Sequence, residues 1–183
     1  MEELEMAQLE AEDRMDKAIA AYERELSTVR TGRANASLLD SISIDYYGVL
    51  TPVKQISSIT IPEANQLYIK PFDKSSVKAI ESAIFASPLG LTPQNDGNGI
   101  RLVLPQMTEE RRRELAKLVA KMSEQAKVNV RNVRRDLNDQ IKKLGLPEDT
   151  EANALDEAQK LTDAKIAKLA ELTEKKQKEL MTI

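Results

Sequence analysis

The sequence predicts an α+β protein: an elongated three-helix bundle carrying a small inserted β/α/β domain. Three separate stretches repeat apolar residues at spacings of three and four, the period of a packed helix face. The segment 31–105 is written differently, holding five of the six aromatics and six of the seven prolines. Charge is also segregated: residues 111–143 set eleven Lys and Arg against four Asp and Glu, a local +7 in a chain of net −3.

The first helix is expected over residues 2–30, which contain no Gly or Pro and place Met15, Ile19, Tyr22, Leu26 and Val29 on one seam. Within the insert, 41–46 alternates apolar with polar residues, Ile59 and Ile61 alternate before Pro62, and Leu67 and Ile69 alternate before Pro71. With 100–104, which follows a Gly97-Asn98-Gly99 turn, these read as short strands. Val77, Ile80 and Ile84 place one helix over 75–86. The second long helix starts after Thr108, with Glu109 and Glu110 suited to its first turn. It runs through Leu115, Val119, Met122, Ala126, Val130, Val133, Leu137, Ile141 and Leu144. Gly145-Leu146-Pro147 stops it, since glycine accepts a left-handed cap and proline cannot continue the helix. Leu155, Ala158, Leu161, Ile166, Leu169, Leu172 and Leu180 form the third stripe. At about 1.5 Å per residue these helices are rods of roughly 40–55 Å, so they bury their stripes against one another. The bundle is therefore expected from 1–30 and 106–183, and the inserted domain from 31–105. Two strands of connection join them, with hinges near 30–32 and 104–105, at Arg30, Thr31, Gly32, Leu104 and Pro105.

Composition removes most catalytic chemistry. The chain has no cysteine and no histidine, which excludes thiolate and imidazole catalysis and thiolate- or imidazole-ligated metals. No separated carboxylate pair in an apolar setting suggests acid-base work, and the Gly97-Asn98-Gly99 turn lacks the context of a phosphate loop. No catalytic residue, metal site or cofactor is expected. No apolar run of membrane-spanning length occurs and the acidic N-terminus is unlike a signal peptide, so a soluble protein is expected. A cytoplasmic location is the default, with the stroma or matrix of an organelle as the alternative for a form whose targeting segment has been removed.

The basic block points instead to an anionic polymer. On a 3.6-residue wheel, Arg113, Lys117, Lys127, Arg131, Arg134, Arg135 and Lys142 share one flank beside the apolar seam, with Glu124 the one carboxylate among them. Cations repeated along a straight helix can track a phosphate backbone without reading base sequence. Arg30 and Arg33 bracket Gly32 at the first junction, where they could hold either domain or a phosphate. Tyr46-Tyr47-Gly48 reads as a core residue and its exposed neighbour at a turn.

Several motifs then carry a resemblance. Arg30-Thr31-Gly32-Arg33-Ala34, Asp45-Tyr46-Tyr47-Gly48, Leu89-Gly90-Leu91 with Pro93, Ile100-Arg101, Thr108-Glu109-Glu110-Arg111-Arg112, Arg131-Asn132-Val133-Arg134-Arg135-Asp136 and Leu161-Thr162-Asp163 resemble the ribosome recycling factor family. The resemblance implies an L-shaped protein with a three-helix bundle and a hinged β/α/β domain. It implies a non-enzymatic factor that binds the large ribosomal subunit after termination and works with the GTPase elongation factor G to separate the subunits. It further implies that Arg131, Arg134 and Arg135 contact large-subunit rRNA, with Arg30 and Arg33 in support. Lys117 and Lys127 are added from the wheel, and Arg113 shares their flank. The Gly145-Leu146-Pro147 connection is shorter than is usual in that family. A monomer is expected off the ribosome. The competing reading is a helical protein-interaction module or spacer that binds no RNA.

Overall fold

The computed structural model describes residues 1–181. The described residues divide into two compact units, one made of Met1–Arg30 together with 109–181, the other of Thr31–Thr108.

The helical unit consists of α1 (Glu2–Ser27), α4 (Glu109–Lys143) and α5 (Glu148–Met181), with α4 packed against both other helices. α1 buries Leu4, Ala11, Met15, Ile19, Tyr22 and Leu26. It ends earlier than the apolar pattern alone suggests because Ser27 and Thr28 turn their hydroxyls onto the carbonyls of Arg24 and Glu25, both at 2.6 Å. Such local bonds compete with helix propagation. α4 buries Leu115, Val119, Ser123, Ala126, Val130, Val133, Leu137 and Ile141. Gly145 takes a left-handed φ of 64° after it, and α5 restarts with Glu151 N–H bonded to the Pro147 carbonyl at 2.9 Å.

The face that α5 buries matches the expected stripe at Ala158, Leu169 and Leu180 and departs from it elsewhere. Its fully buried residues are Ala154, Ala158, Thr162, Leu169, Thr173 and Leu180, while Leu155, Leu161, Ile166 and Leu172 are half-buried. The reason is a layer of hydroxyls inside the bundle. Thr173 Oγ1 meets Tyr22 Oη of α1, lies 3.1 Å from Ser123 Oγ of α4 and 2.8 Å from the carbonyl of Leu169. Thr162 Oγ1 donates to the Ala158 carbonyl at 2.7 Å. Threonines that satisfy their own hydroxyls behave as core residues, so the helix rotates to bury them.

The sheet unit contains β1 (Ser43–Tyr46), β2 (Val49–Pro52), a one-turn α2 (Val53–Ile56), β3 (Ser57–Glu63), β4 (Gln66–Pro71), α3 (Val77–Phe85), β5 (Gln94–Asn95) and β6 (Ile100–Val103). β1 and β2 form a hairpin, and the remaining strands form an antiparallel sheet in the order β3-β4-β6-β5. Leu67 pairs with Leu102 and Ile69 with Ile100 on the buried face. Tyr68 and Arg101 pair on the other face, with the guanidinium 5.5 Å from the ring centre. Those inward residues join Leu39, Ile42, Ile44, Val53, Val77, Ile80 and Ile84 in one core. Tyr47 and Gly48 form the two-residue hairpin loop, with φ of 50° and 83°, as a turn matching strand twist requires. Tyr46 is half-buried and Tyr47 is 82% exposed. At the β5–β6 turn, Asp96 Oδ1 accepts from the N–H groups of Asn98 and Gly99 at 2.9 and 2.8 Å. Gly99 is required there: a Cβ would sit 2.6 Å from the Ile69 carbonyl oxygen. These bonds hold the Asp96 carboxyl below the usual carboxylate range.

Candidate nucleic-acid interface

α4 runs 35 residues without Gly or Pro, so side chains at i, i+3 and i+4 stack along one line of a rigid rod. Its seam fixes which residues face outward. Lys117, Arg131 and Arg135 are exposed, while Lys127 and Arg134, closer to the seam, are half-buried.

The carboxylates decide which of these cations remain available. Arg113 is bound by Glu109 at 2.7 Å, and Lys127 by Glu124 at 3.3 Å. Arg111 takes Glu114 at 2.9 Å. Asp136, next to Arg135 in sequence, is instead paired across the helix seam with Arg14 of α1 at 3.0 Å. Lys117, Arg131 and Arg135 therefore have no carboxylate within ion-pair distance among the described residues. Arg134 donates from Nη1 to Oε1 of Gln159 at 2.8 Å, and Gln159 donates to Asp163 Oδ1 at 2.8 Å. That neutral partner orients the guanidinium without cancelling its charge. Exposed ion pairs such as Arg113–Glu109 are weak, but they lower the field offered to an anion.

On the α1 side of the same helix, a shallow cleft is lined by Arg14, Lys17, Ala18, Asn129, Asn132 and Val133. Arg14 and Lys17 escape sequence reasoning because α1 is acidic overall. Their spacing from the α1 seam residues Met15 and Ile19 is the signal that could have placed them beside α4.

The junction residues lie apart from this flank in the chain. Arg30 is exposed and is the last residue of the first segment of the helical unit. Thr31 is buried, Gly32 has φ of 77°, and Arg33 is exposed with its N–H 3.4 Å from Thr31 Oγ1. Leu104 is part of the sheet core, and its N–H donates to the Asn65 carbonyl at 2.8 Å. Pro105 is exposed and begins a stretch, 105–108, with no regular structure.

The sequence model of the family described as ribosome recycling factor matches residues 22–181. This chain belongs to the ribosome recycling factor family. It is 57% identical over 178 residues to the ribosome-recycling factor of Geobacillus thermodenitrificans, covering 95% of this chain and 96% of that one. The factor of Acholeplasma laidlawii is 55% identical over 182 residues, covering 100% and 99%. The Bacillus subtilis factor is 52% identical over 178 residues, covering 95% and 96%. Among solved structures, a solution structure of a ribosome recycling factor matches with TM-score 0.83 and 45% identity, covering 100% of both chains. A second, the T. thermophilus ribosome recycling factor placed with the E. coli elongation factor G on the E. coli post-termination complex, matches with TM-score 0.68 and 40% identity, covering 97% and 98%. The family consists of non-enzymatic translation factors. No helix among the described residues is long and apolar enough to cross a membrane.

Proposed function

We propose that this chain binds the post-termination ribosome and, with the GTPase elongation factor G, separates the ribosomal subunits for recycling. The observation that carries this reading is end-to-end similarity to ribosome recycling factors, including one placed with elongation factor G on a post-termination complex. The chain works in the cytoplasm, as a monomer when off the ribosome.

The contact to large-subunit rRNA is assigned to the outer flank of α4. Arg131, Arg134 and Arg135 grip phosphates, Lys117 adds a point charge, and Arg113 and Lys127 join once their carboxylates yield. Arg30 and Arg33 give supporting contacts. Unpaired cations on a rigid rod support this reading because no rearrangement has to precede binding. Residues 1–30 and 106–183 act as the anchored body and residues 31–105 as the arm on which the GTPase works. Bending is assigned to the connections near 30–32 and 104–105. On the second connection the yielding residues are Pro105 and those after it, since Leu104 is bonded into the sheet core.

The test is subunit dissociation followed by light scattering, with elongation factor G and GTP. An Arg131→Ala, Arg135→Ala chain should lose ribosome binding and splitting together while its melting temperature stays within about 2 °C of the parent. Undiminished splitting by that variant would overturn the assignment of the anchor.

A further inference from the structure

The helical unit carries an acidic side as well as the basic flank of α4. From residue 2 to 13, α1 holds six Asp and Glu and no Lys or Arg; from residue 148 to 159, α5 holds five and none. Glu2, Glu3 and Glu5, like Glu148, Asp149 and Glu151, lie in first turns, where helix dipoles account for them. Glu12 and Glu157 lie two turns or more further in, beyond the reach of that effect.

Those two carboxylates rim a groove between α1 and α5. Its walls are Glu5, Gln8, Leu9 and Glu12 of α1 and Glu157, Ala158 and Leu161 of α5, with Leu137 of α4 completing it. The groove is apolar in its walls and acidic at its edge. Leu9 is 67% exposed and Leu161 half-buried, so apolar surface is left uncovered. Gln8 Nε2 of α1 donates to Glu157 Oε2 of α5 at 3.0 Å, tying the two walls together at that level. At the far end Lys165 is bound to Asp16 at 2.6 Å and Glu12 at 3.6 Å. Glu5 has no side-chain partner among the described residues. α4 turns Arg134 toward Gln159 on the opposite edge of α5, so a molecule held by the basic flank leaves this groove open.

We infer that the α1–α5 groove docks a cationic amphipathic segment of a partner protein, with apolar side chains on Leu9, Leu137 and Leu161 and Lys or Arg on Glu5 and Glu157, Glu12 being taken by Lys165. Sign excludes nucleic acid as occupant, since phosphates would meet an acidic rim. Size favours a short segment: residues 5–12 span about 10 Å, two helical turns, which suits anchors at i, i+3 and i+4. This inference goes beyond the recycling function and stands independently of it.

The experiment uses the full chain and a fluorescent peptide of about fourteen residues, four helical turns, with leucines at i, i+3, i+4 and i+7 and lysines elsewhere. Fluorescence anisotropy at low salt should show binding in the range of ~10–100 μM. Leu9→Ser should weaken it about tenfold, and Glu5→Gln with Glu157→Gln several-fold with a flatter salt response. Glu2→Gln with Glu3→Gln, the same charge change outside the groove, should leave binding unchanged, as should Arg131→Ala. No binding by about 1 mM, equal loss from the Glu2 and Glu3 control, or equal binding of the same peptide with glutamates for lysines would each overturn the proposal.

Discussion

Removing Arg131 and removing Arg113 should have different consequences, although the helical wheel treats them alike. Among the described residues Arg131 has no carboxylate partner, whereas Arg113 is held by Glu109 at 2.7 Å. Among the described residues, four of the cations assigned to the rRNA contact are uncancelled in the free protein: Lys117, Arg131, Arg134 and Arg135. If each neutralises one phosphate, the slope of log affinity against log salt should be roughly −3 to −3.5, at about 0.7–0.9 per contact. Ribosome affinity should then fall on the order of 100-fold between about 50 and 200 mM salt. Arg131→Ala should flatten the slope by about 0.8 and weaken binding at fixed salt by about 2 kcal/mol, roughly 30-fold, the worth of a charge-assisted bond. Arg113→Ala should change the slope by less than about 0.3, and Glu109→Gln, which frees Arg113, should steepen it. Co-sedimentation with ribosomes across a salt series measures all three. Equal slopes for the Arg131 and Arg113 variants would show that ion pairing in the free protein does not select the contacts.

Thr173→Val should destabilise the helical unit by about 2–4 kcal/mol, because it strips partners from the buried hydroxyls of Tyr22 and Ser123. Adding Tyr22→Phe and Ser123→Ala should recover part of that loss, so chemical denaturation showing strictly additive costs would defeat the network account. Gly99→Ala should cost the sheet unit about 1–3 kcal/mol, since the new methyl meets the Ile69 backbone oxygen; an unchanged melting temperature would contradict it. Asp96 has a folded pKa depressed below its ordinary 3.8, so below that value the unfolded chain binds more protons and stability falls as pH drops. Asp96→Asn, which keeps the acceptor oxygen, should flatten that acid limb, and an unaltered acid melting profile would assign it to other carboxylates.

Periodicity made the long helices legible because α1 and α4 bury nearly continuous runs of apolar side chains. On α5 it found the helix and the buried Ala158, Leu169 and Leu180 but missed Thr162 and Thr173 in the core and placed Leu161 and Leu172, which lie at its edge, inside. A hydroxyl reads as polar until its partners are visible, and here one partner is 151 residues away. Short elements were lost for another reason. β2 shows no alternation because Val49 and Leu50 are adjacent apolar residues, both exposed, β5 runs only two residues, and α2 is a single turn. The arginines of α4 were identifiable from spacing and charge, but the division between occupied and available cations was not. Arg113–Glu109 and Lys127–Glu124 sit at intrahelical spacings, but only the fold shows which such pairs form and that Asp136 is drawn away to Arg14 of α1.

The contact of Tyr22 with Thr173 also sets an order of events during synthesis. Thr31–Thr108 is an unbroken stretch with its own core, and it can fold as soon as it has emerged. The helical unit cannot, because α1 is made first and its partner α5 last. α1 waits with Met15, Ile19 and Tyr22 uncovered until α4 has been made, and the Tyr22–Thr173 contact closes only after α5 has left the exit tunnel.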